Sequence, residues 1–268
     1  MRIRELHLYP VKTLRGIPLA ESPLGPLGLP WDRHWLVADA VGRALTLAQR
    51  PDLTQLTPFL SDSALLLSAP GHGELAIPLT PPPGPPCAAR LGNRVCRALD
   101  EGALASGWLT SVLGPQRGYP LRLLRVAPSD EPRAPFNDGW SLTLATLDSL
   151  EALNRRLEEK GQGRVGLARF RPNLVVDSLG APFHELFPSE LLGPGYRLAL
   201  VKPIRRCRVT RLHPRNGALA PAGEPLAALT ELSPLKETPG PHFGAYVSLM
   251  GEGPATLAVD QPLSLHRR

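Results

Sequence analysis

The chain has 268 residues, 57 of them Pro or Gly, far above the ordinary combined share of ~12%. Pro breaks helix interiors and Gly weakens them, which argues against long helical bundles, while 43% hydrophobic residues argue against long disorder. The net charge of +6 rests on 26 Arg and only four Lys, but with 14 aromatics and no long basic run nucleic acid is not an expected partner.

Residues 2–11 alternate loosely and end at Tyr9-Pro10, which predicts an opening strand. Short apolar segments at 35–38, 44–48, 64–68 and 75–79, separated by Gly, Pro and Asp, predict further short strands. The stretch TPPPGPP at 80–86 is a stiff surface connection. A helix is expected over 100–113, capped by Asp100, with an apolar face of Leu104, Trp108, Leu109, Val112 and Leu113 and a stop at Gly114. After a strand at 121–126 and a Pro-rich linker at 127–137, a second helix is expected over 148–160. Asp148 and Glu151 would form its capping pair, and Leu150, Leu153 and Leu157 its apolar stripe. Strand-like segments resume at 173–177, 197–202 and 207–212, and the tail over 255–265 alternates back towards a sheet. A domain boundary is expected near 118–130.

Four places carry candidate chemistry. Cys207 stands among Arg205, Arg206 and Arg208, whose charge favours thiolate over thiol; the local sequence leaves open a reactive cysteine or a buried inert one. In RFRPN at 169–173, an extended backbone puts Arg169 and Arg171 on one face, ready for an anion. Lys12-Thr13 at a turn could meet a phosphate, without the glycine spacing of a P-loop. Asp32-Arg33, between two tryptophans, reads first as a structural ion pair. The three cysteines have no C-x-x-C spacing, so a structural zinc site is not expected. No leader-like core and no apolar run of ~20 residues is present, so a soluble cytoplasmic protein with no membrane partner is expected.

Taken in order, YPVKTLRG at 9–16, GLPWDRHWLVAD at 28–39, TLAQRPDL at 46–53 and DEGALASGWLTSVLG at 100–114 resemble the N-terminal β-barrel module of MOSC proteins. LTLATLDSLEALNRRL at 142–157, RFRPNLVV at 169–176, KPIRRCRVTRLHPRNG at 202–217 and FGAYVSLMGEG at 243–253 are similar to the MOSC domain itself. The resemblance implies a β-rich α+β fold: an N-terminal β-barrel-like module over 1–120 and a MOSC β-barrel domain over 121–268, with a few short helices. It also implies a molybdenum-pterin cofactor (molybdenum and molybdopterin). Cys207 would be metal ligand and catalytic centre, and Lys12, Thr13, Arg33, Thr146, Arg171, Asn173 and Arg206 would hold the pterin and its phosphate.

The activity so implied is reduction of N-hydroxylated or N-oxide small molecules by oxygen-atom transfer. The alternative is a sulfur or cofactor carrier using a Cys207 persulfide. Three cysteines are too few for an iron–sulfur cluster, and no G-x-G-x-x-G is present. A separate electron-donor protein (reductase, ferredoxin or cytochrome) is therefore expected as partner. The chain departs from many relatives at Ile204, where they carry a second cysteine, at Leu212-His213-Pro214 and at Val259-Asp260.

Overall fold

A computed structural model describes residues 1–128, 136, 140, 142–251 and 255–266, so most of the expected linker lies outside the described residues. The chain opens with β1 (Ile3–Leu8), β2 (Ile17–Leu19), β3 (Glu21–Leu24) and β4 (Trp35–Ala38). β5 (Thr57–Leu60), β6 (Ala64–Ala69) and β7 (His72–Pro78) form a meander. β8 (Cys87–Leu91) and β9 (Arg94–Asp100) form a hairpin whose two-residue turn takes its positive φ at Gly92. Then come α1 (Ala103–Leu113), β10 (Arg122–Val126), β11 (Leu142–Thr146), α2 (Leu147–Glu159) and β12 (Leu174–Val176). The remainder holds β13 (Ser189–Gly193), β14 (Tyr196–Arg205), α3 (Leu226–Leu232), β15 (His242–Met250), β16 (Ala255–Ala258) and β17 (Ser264–His266).

An eight-stranded sheet runs in the order β17-β13-β14-β15-β11-β12-β1-β2. Its one parallel pair, β11 with β12, is joined through α2, since parallel neighbours need a crossover. A four-stranded sheet, β4-β10-β9-β8, and the β5–β7 meander build the other side of the molecule. The first two strands of the chain thus complete the sheet of its second half, while β10 lies in the sheet of its first half. The architecture is the expected β-rich fold with three short α-helices among the described residues.

Each side has its own core. Ile3, Leu6, Leu144, Leu174, Leu198 and Val247 pack on the large sheet, while Val11, Trp35, Leu53, Leu65, Leu109 and Leu123 pack in the other. Each such side chain contributes roughly 1.5–3 kcal/mol by leaving water. The second core also encloses an ion pair: Arg125 clasps Glu101, stacks 5.2 Å from the Trp35 ring and donates to the Leu79 carbonyl at 2.8 Å.

Four local expectations are corrected. Segment 44–48 is not a strand; Ala44 makes one isolated bridge to Ala38, and Leu45 and Leu47 are buried from a loop. Asp100 ends β9 and accepts from the Gly102 N–H at 2.8 Å, so α1 starts at Ala103 and leaves Leu104 76% exposed. α2 is capped by Thr146 rather than Asp148. Segment 207–212 winds into a 3-10 turn over Arg208–Arg211, closed by Thr210 N–H on the Cys207 carbonyl at 3.0 Å.

Candidate functional site

The turn after β1, the loop before β4, the turn before β12 and the end of β14 meet at one cleft of about 360 Å³. Of the eight side chains picked out from sequence, Lys12, Thr13, Arg33, Arg171, Asn173, Arg206 and Cys207 line it. Arg169 and Arg205 add two further cations, and Asp32 is the sole carboxylate among the described lining residues. Such an excess of positive charge around a partly buried space calls for an anionic occupant.

The guanidiniums are held by what surrounds them. Arg33 and Arg171 lie over the Tyr9 ring, 4.5 and 4.3 Å from its centroid. Arg33 pairs with Asp32, donates to Asn173 Oδ1 at 2.8 Å and reaches the Arg171 carbonyl at 3.0 Å. Arg171 donates to the Thr13 carbonyl at 3.2 Å and to the Leu14 carbonyl. Burial first, and the nearby Arg33 charge second, push Arg171 down to about 10. Arg169 is anchored elsewhere, on the Arg211 carbonyl at 3.0 Å, after a 3-10 turn over Leu167–Arg169. The two Arg residues therefore share the cleft through a turn, and the extended geometry expected of RFRPN is not what brings them together.

Strain marks the same place. Thr13, Arg33 and Arg171 have φ of 81°, 49° and 54°, in the region that L residues avoid, and for a β-branched Thr this is a marked outlier. Gly16 lies against Tyr9: a Cβ there would stand 2.6 Å from the ring, so only glycine lets the aromatic platform pass. Gly244 serves Arg206 similarly, since a Cβ would meet the Leu144 carbonyl at 2.4 Å and Arg206 Nη2 at 3.3 Å.

Arg206 donates to the Phe243 carbonyl at 2.8 Å and the Phe170 carbonyl at 2.9 Å, and desolvation pushes it down to about 10. Its buried Nη2 has no partner, a donor left for something the protein does not supply. Cys207 follows directly, exposed and with a free thiol, at the cap of the Arg208–Arg211 turn. Lys12 donates to the Phe136 carbonyl at 3.0 Å and Thr13 to the Leu45 carbonyl at 3.2 Å. No group of three His, Cys, Asp or Glu side chains spaced to hold a metal occurs among the described residues.

Asn173 is already fully engaged. Besides Arg33, its Oδ1 accepts from the Thr143 N–H at 3.1 Å and hydroxyl at 3.0 Å, and its Nδ2 donates to the His7 carbonyl and Asp32. It staples the cleft together more than it offers a free contact. Thr146 is corrected outright: it is 0% exposed, outside the cleft, and spends its hydroxyl on the cap of α2. Three residues earlier, Thr143 lines the cleft instead. Tyr9, Thr143, Trp140 and Tyr246 were not singled out from sequence; only the turn at Pro10 hinted that Tyr9 borders a site.

Behind Thr146 lies a buried acid. Glu185 accepts from the Ser149 hydroxyl at 2.8 Å and from Thr146 at 3.3 Å, while its Oε1 has no partner. Desolvation pushes it up to about 7. Below pH 4.5 the group is neutral folded or unfolded and costs nothing. As pH rises from there to about 7, only the unfolded chain releases the proton, so stability falls, reaching a full loss of about 3 kcal/mol above pH 7. Glu185→Gln is expected to match the native protein in urea unfolding near pH 4.5 and exceed it by that amount at pH 8. Equal stability of the two proteins at pH 8 would contradict the assignment.

A family model for the MOSC N-terminal beta barrel domain matches residues 1–116, and one for the MOSC domain matches residues 132–264. Mitochondrial amidoxime-reducing component 1 of Xenopus laevis is 30% identical over 94% of this chain and 78% of its own length. The mouse (Mus musculus) protein of that name is 29% identical over 98% of this chain and 82% of its own. Molybdenum cofactor sulfurase of Drosophila grimshawi is 30% identical over 92% of this chain, which spans only 32% of that longer protein.

Proposed function

Because the chain belongs to the MOSC family, we propose that it is a molybdenum-cofactor-dependent oxidoreductase that takes oxygen from N-hydroxylated or N-oxide small molecules. The observation that carries this reading is the convergence of an exposed thiol and several partly desolvated guanidiniums, with one carboxylate among the described residues, on a single cleft. The residues fit the cofactor. The partnerless Arg206 Nη2 suits an acceptor oxygen, the surplus charge suits a phosphate, and a thiolate suits a soft metal. Lys12, Thr13, Arg33, Arg171 and Arg206 would hold the pterin and its phosphate, with Cys207 as the metal's protein ligand. When bound, the cofactor supplies two-electron oxygen-atom chemistry.

The chain's own residues would do the positioning. Tyr9 holds two guanidiniums against its ring, and Asn173 locks Arg33 and the Thr143 backbone in register. The strained turns at Thr13 and Arg171 keep these donors fixed before anything binds, so little ordering cost remains. Cys87 and Cys96 lie on paired strands as free thiols, which suits a reducing, cytoplasmic setting. No helix among the described residues is long and apolar enough to cross a membrane.

Three cysteines cannot make the usual set of about four cluster ligands, so electrons would arrive from a separate donor protein of reductase, ferredoxin or cytochrome type. The exposed Arg205 and Arg208 beside Cys207 would steer an acidic donor, in a salt-sensitive way. Protein made in a host that synthesises the cofactor is expected to contain molybdenum and pterin. It should reduce an aromatic amidoxime with a reduced viologen dye but not with NADH alone. Turnover by protein free of molybdenum would sink the reading, and turnover with NADH and no mediator would sink the separate donor.

The exposure of Cys207, together with the match to a molybdenum cofactor sulfurase, favours one second reading: a carrier of persulfide sulfur. Mass spectrometry decides between them. Persulfide on Cys207 in metal-free protein that delivers sulfur supports the carrier, and an unmodified thiol in such protein removes it.

A further inference from the structure

A second cavity, of about 670 Å³, backs onto the first cleft and shares Thr13, Leu47, Arg169, Arg171 and Val209 with it as a common wall. Its volume lies inside the ~300–1,000 Å³ range of small-molecule sites. Leu147, Leu150 and Leu167 line it from the side of α2, and Leu47, Val209 and Leu212 from the side of the first module. Four guanidiniums, of Arg15, Arg169, Arg171 and Arg215, border these apolar walls.

The one carboxylate among the described residues there, Glu5, is committed to His7 at 2.7 Å, and that hydrogen bond holds it below the usual carboxylate range. None of the four Arg residues makes an ion pair among the described residues. Arg15 donates from Nη2 to the Thr54 carbonyl at 2.8 Å and the Arg215 carbonyl at 3.1 Å, yet its buried Nε has no partner at all. Desolvation also pushes Arg169 down, so its charge sits in a poorly solvated place. Unbalanced donors beside leucine walls match an anion that carries a hydrophobic body. Inorganic phosphate would answer the charge and leave the walls unfilled.

We infer that this cavity is a second ligand site, for a small organic carboxylate with an aromatic or branched apolar body, separate from the cofactor cleft. The inference does not depend on the molybdenum reading, because it rests on Arg15, Leu150 and Arg215, which line only the second cavity, while Cys207 and Arg206 line only the first cleft. Occupancy would be felt across the wall, since Arg171 bonds the Thr13 carbonyl that both cavities share.

Calorimetric titration of the purified chain with naphthoate, its neutral isostere naphthamide and inorganic phosphate tests the site. Naphthoate is expected to bind at least about tenfold more tightly than naphthamide, and to lose at least about tenfold in Arg15→Met. Leu150→Trp, which fills the cavity without touching charge, should weaken it as much, while Arg206→Met leaves it within about twofold. Equal binding of naphthoate and naphthamide would overturn the proposal, as would phosphate competing at equal affinity. So would loss of naphthoate in Arg206→Met with Leu150→Trp unaffected, which would place the anion in the first cleft.

Discussion

Cys207→Ala is expected to lower amidoxime reduction, with an artificial donor, by more than about 100-fold, beyond what loss of an outer-shell contact to a metal ligand typically costs. Stability should hardly change. The residue is exposed, and its side chain makes no capping hydrogen bond to the turn it begins, so the fold loses less than about 0.5 kcal/mol. Pterin content should also persist, because in the proposed reading the anionic part would be held by Lys12, Thr13, Arg33, Arg171 and Arg206 rather than by sulfur. The combination separates a ligand from a structural cysteine: activity and the visible absorption of the metal change while unfolding and pterin do not. A variant that keeps activity within about tenfold of the native protein would remove Cys207 from the metal.

Parts of this arrangement were legible in the sequence and parts were not, for identifiable reasons. β1, β6 and α2 are local: their apolar spacing already matches one buried face, as Leu153 and Leu157 do on α2, while β4 is apolar throughout and buried on both faces. Leu104 misleads because the same helical period leaves open which face the rest of the chain covers, and Ala105 and Leu109 take the core. Segment 207–212 reads like a strand, but Leu212 makes only an isolated bridge, to Leu219, and the rest closes on itself as a turn. The cationic residues were visible because charge near Cys207 and in RFRPN stands out in any reading. Their organisation was not. Tyr9, Asp32, Thr143 and Asn173 come from segments up to 164 positions apart; the pairing of β1 with β12 and of β12 with β11 gathers three of them, and the bridge of Val11 to Trp35 brings in Asp32. Thr146 was mistaken for a cleft residue because cap and cleft both want a hydroxyl. Three positions along the chain, set by where β11 ends, decide which threonine serves which.

Asp32→Asn should cost about 3–5 kcal/mol of stability, the usual effect of stripping one partner from a buried ion pair. The carboxylate is 3% exposed and fully used: Oδ1 accepts from the Tyr9 N–H at 2.9 Å and Asn173 Nδ2 at 3.0 Å, and Oδ2 accepts from Arg33. An amide keeps the shape and can still accept at one oxygen, but its NH₂ then faces the Arg33 guanidinium, donor against donor. Arg33 loses its counter-charge, and Arg171, stacked on the other contact to the same Tyr9 ring, adds its repulsion. Among the described residues the cleft carries more positive than negative charge, and Asp32 is the one carboxylate that lines it. Urea unfolding should show the loss directly, with the melting temperature down on the order of 10 °C, and Asp62→Asn, at an exposed turn, should change stability by less than about 0.5 kcal/mol. Sulfate or phosphate, binding only the folded cleft, should restore part of the loss in a concentration-dependent way. A loss below about 1 kcal/mol would mean that Asp32 is not the charge that makes the Arg33 and Arg171 guanidiniums tolerable.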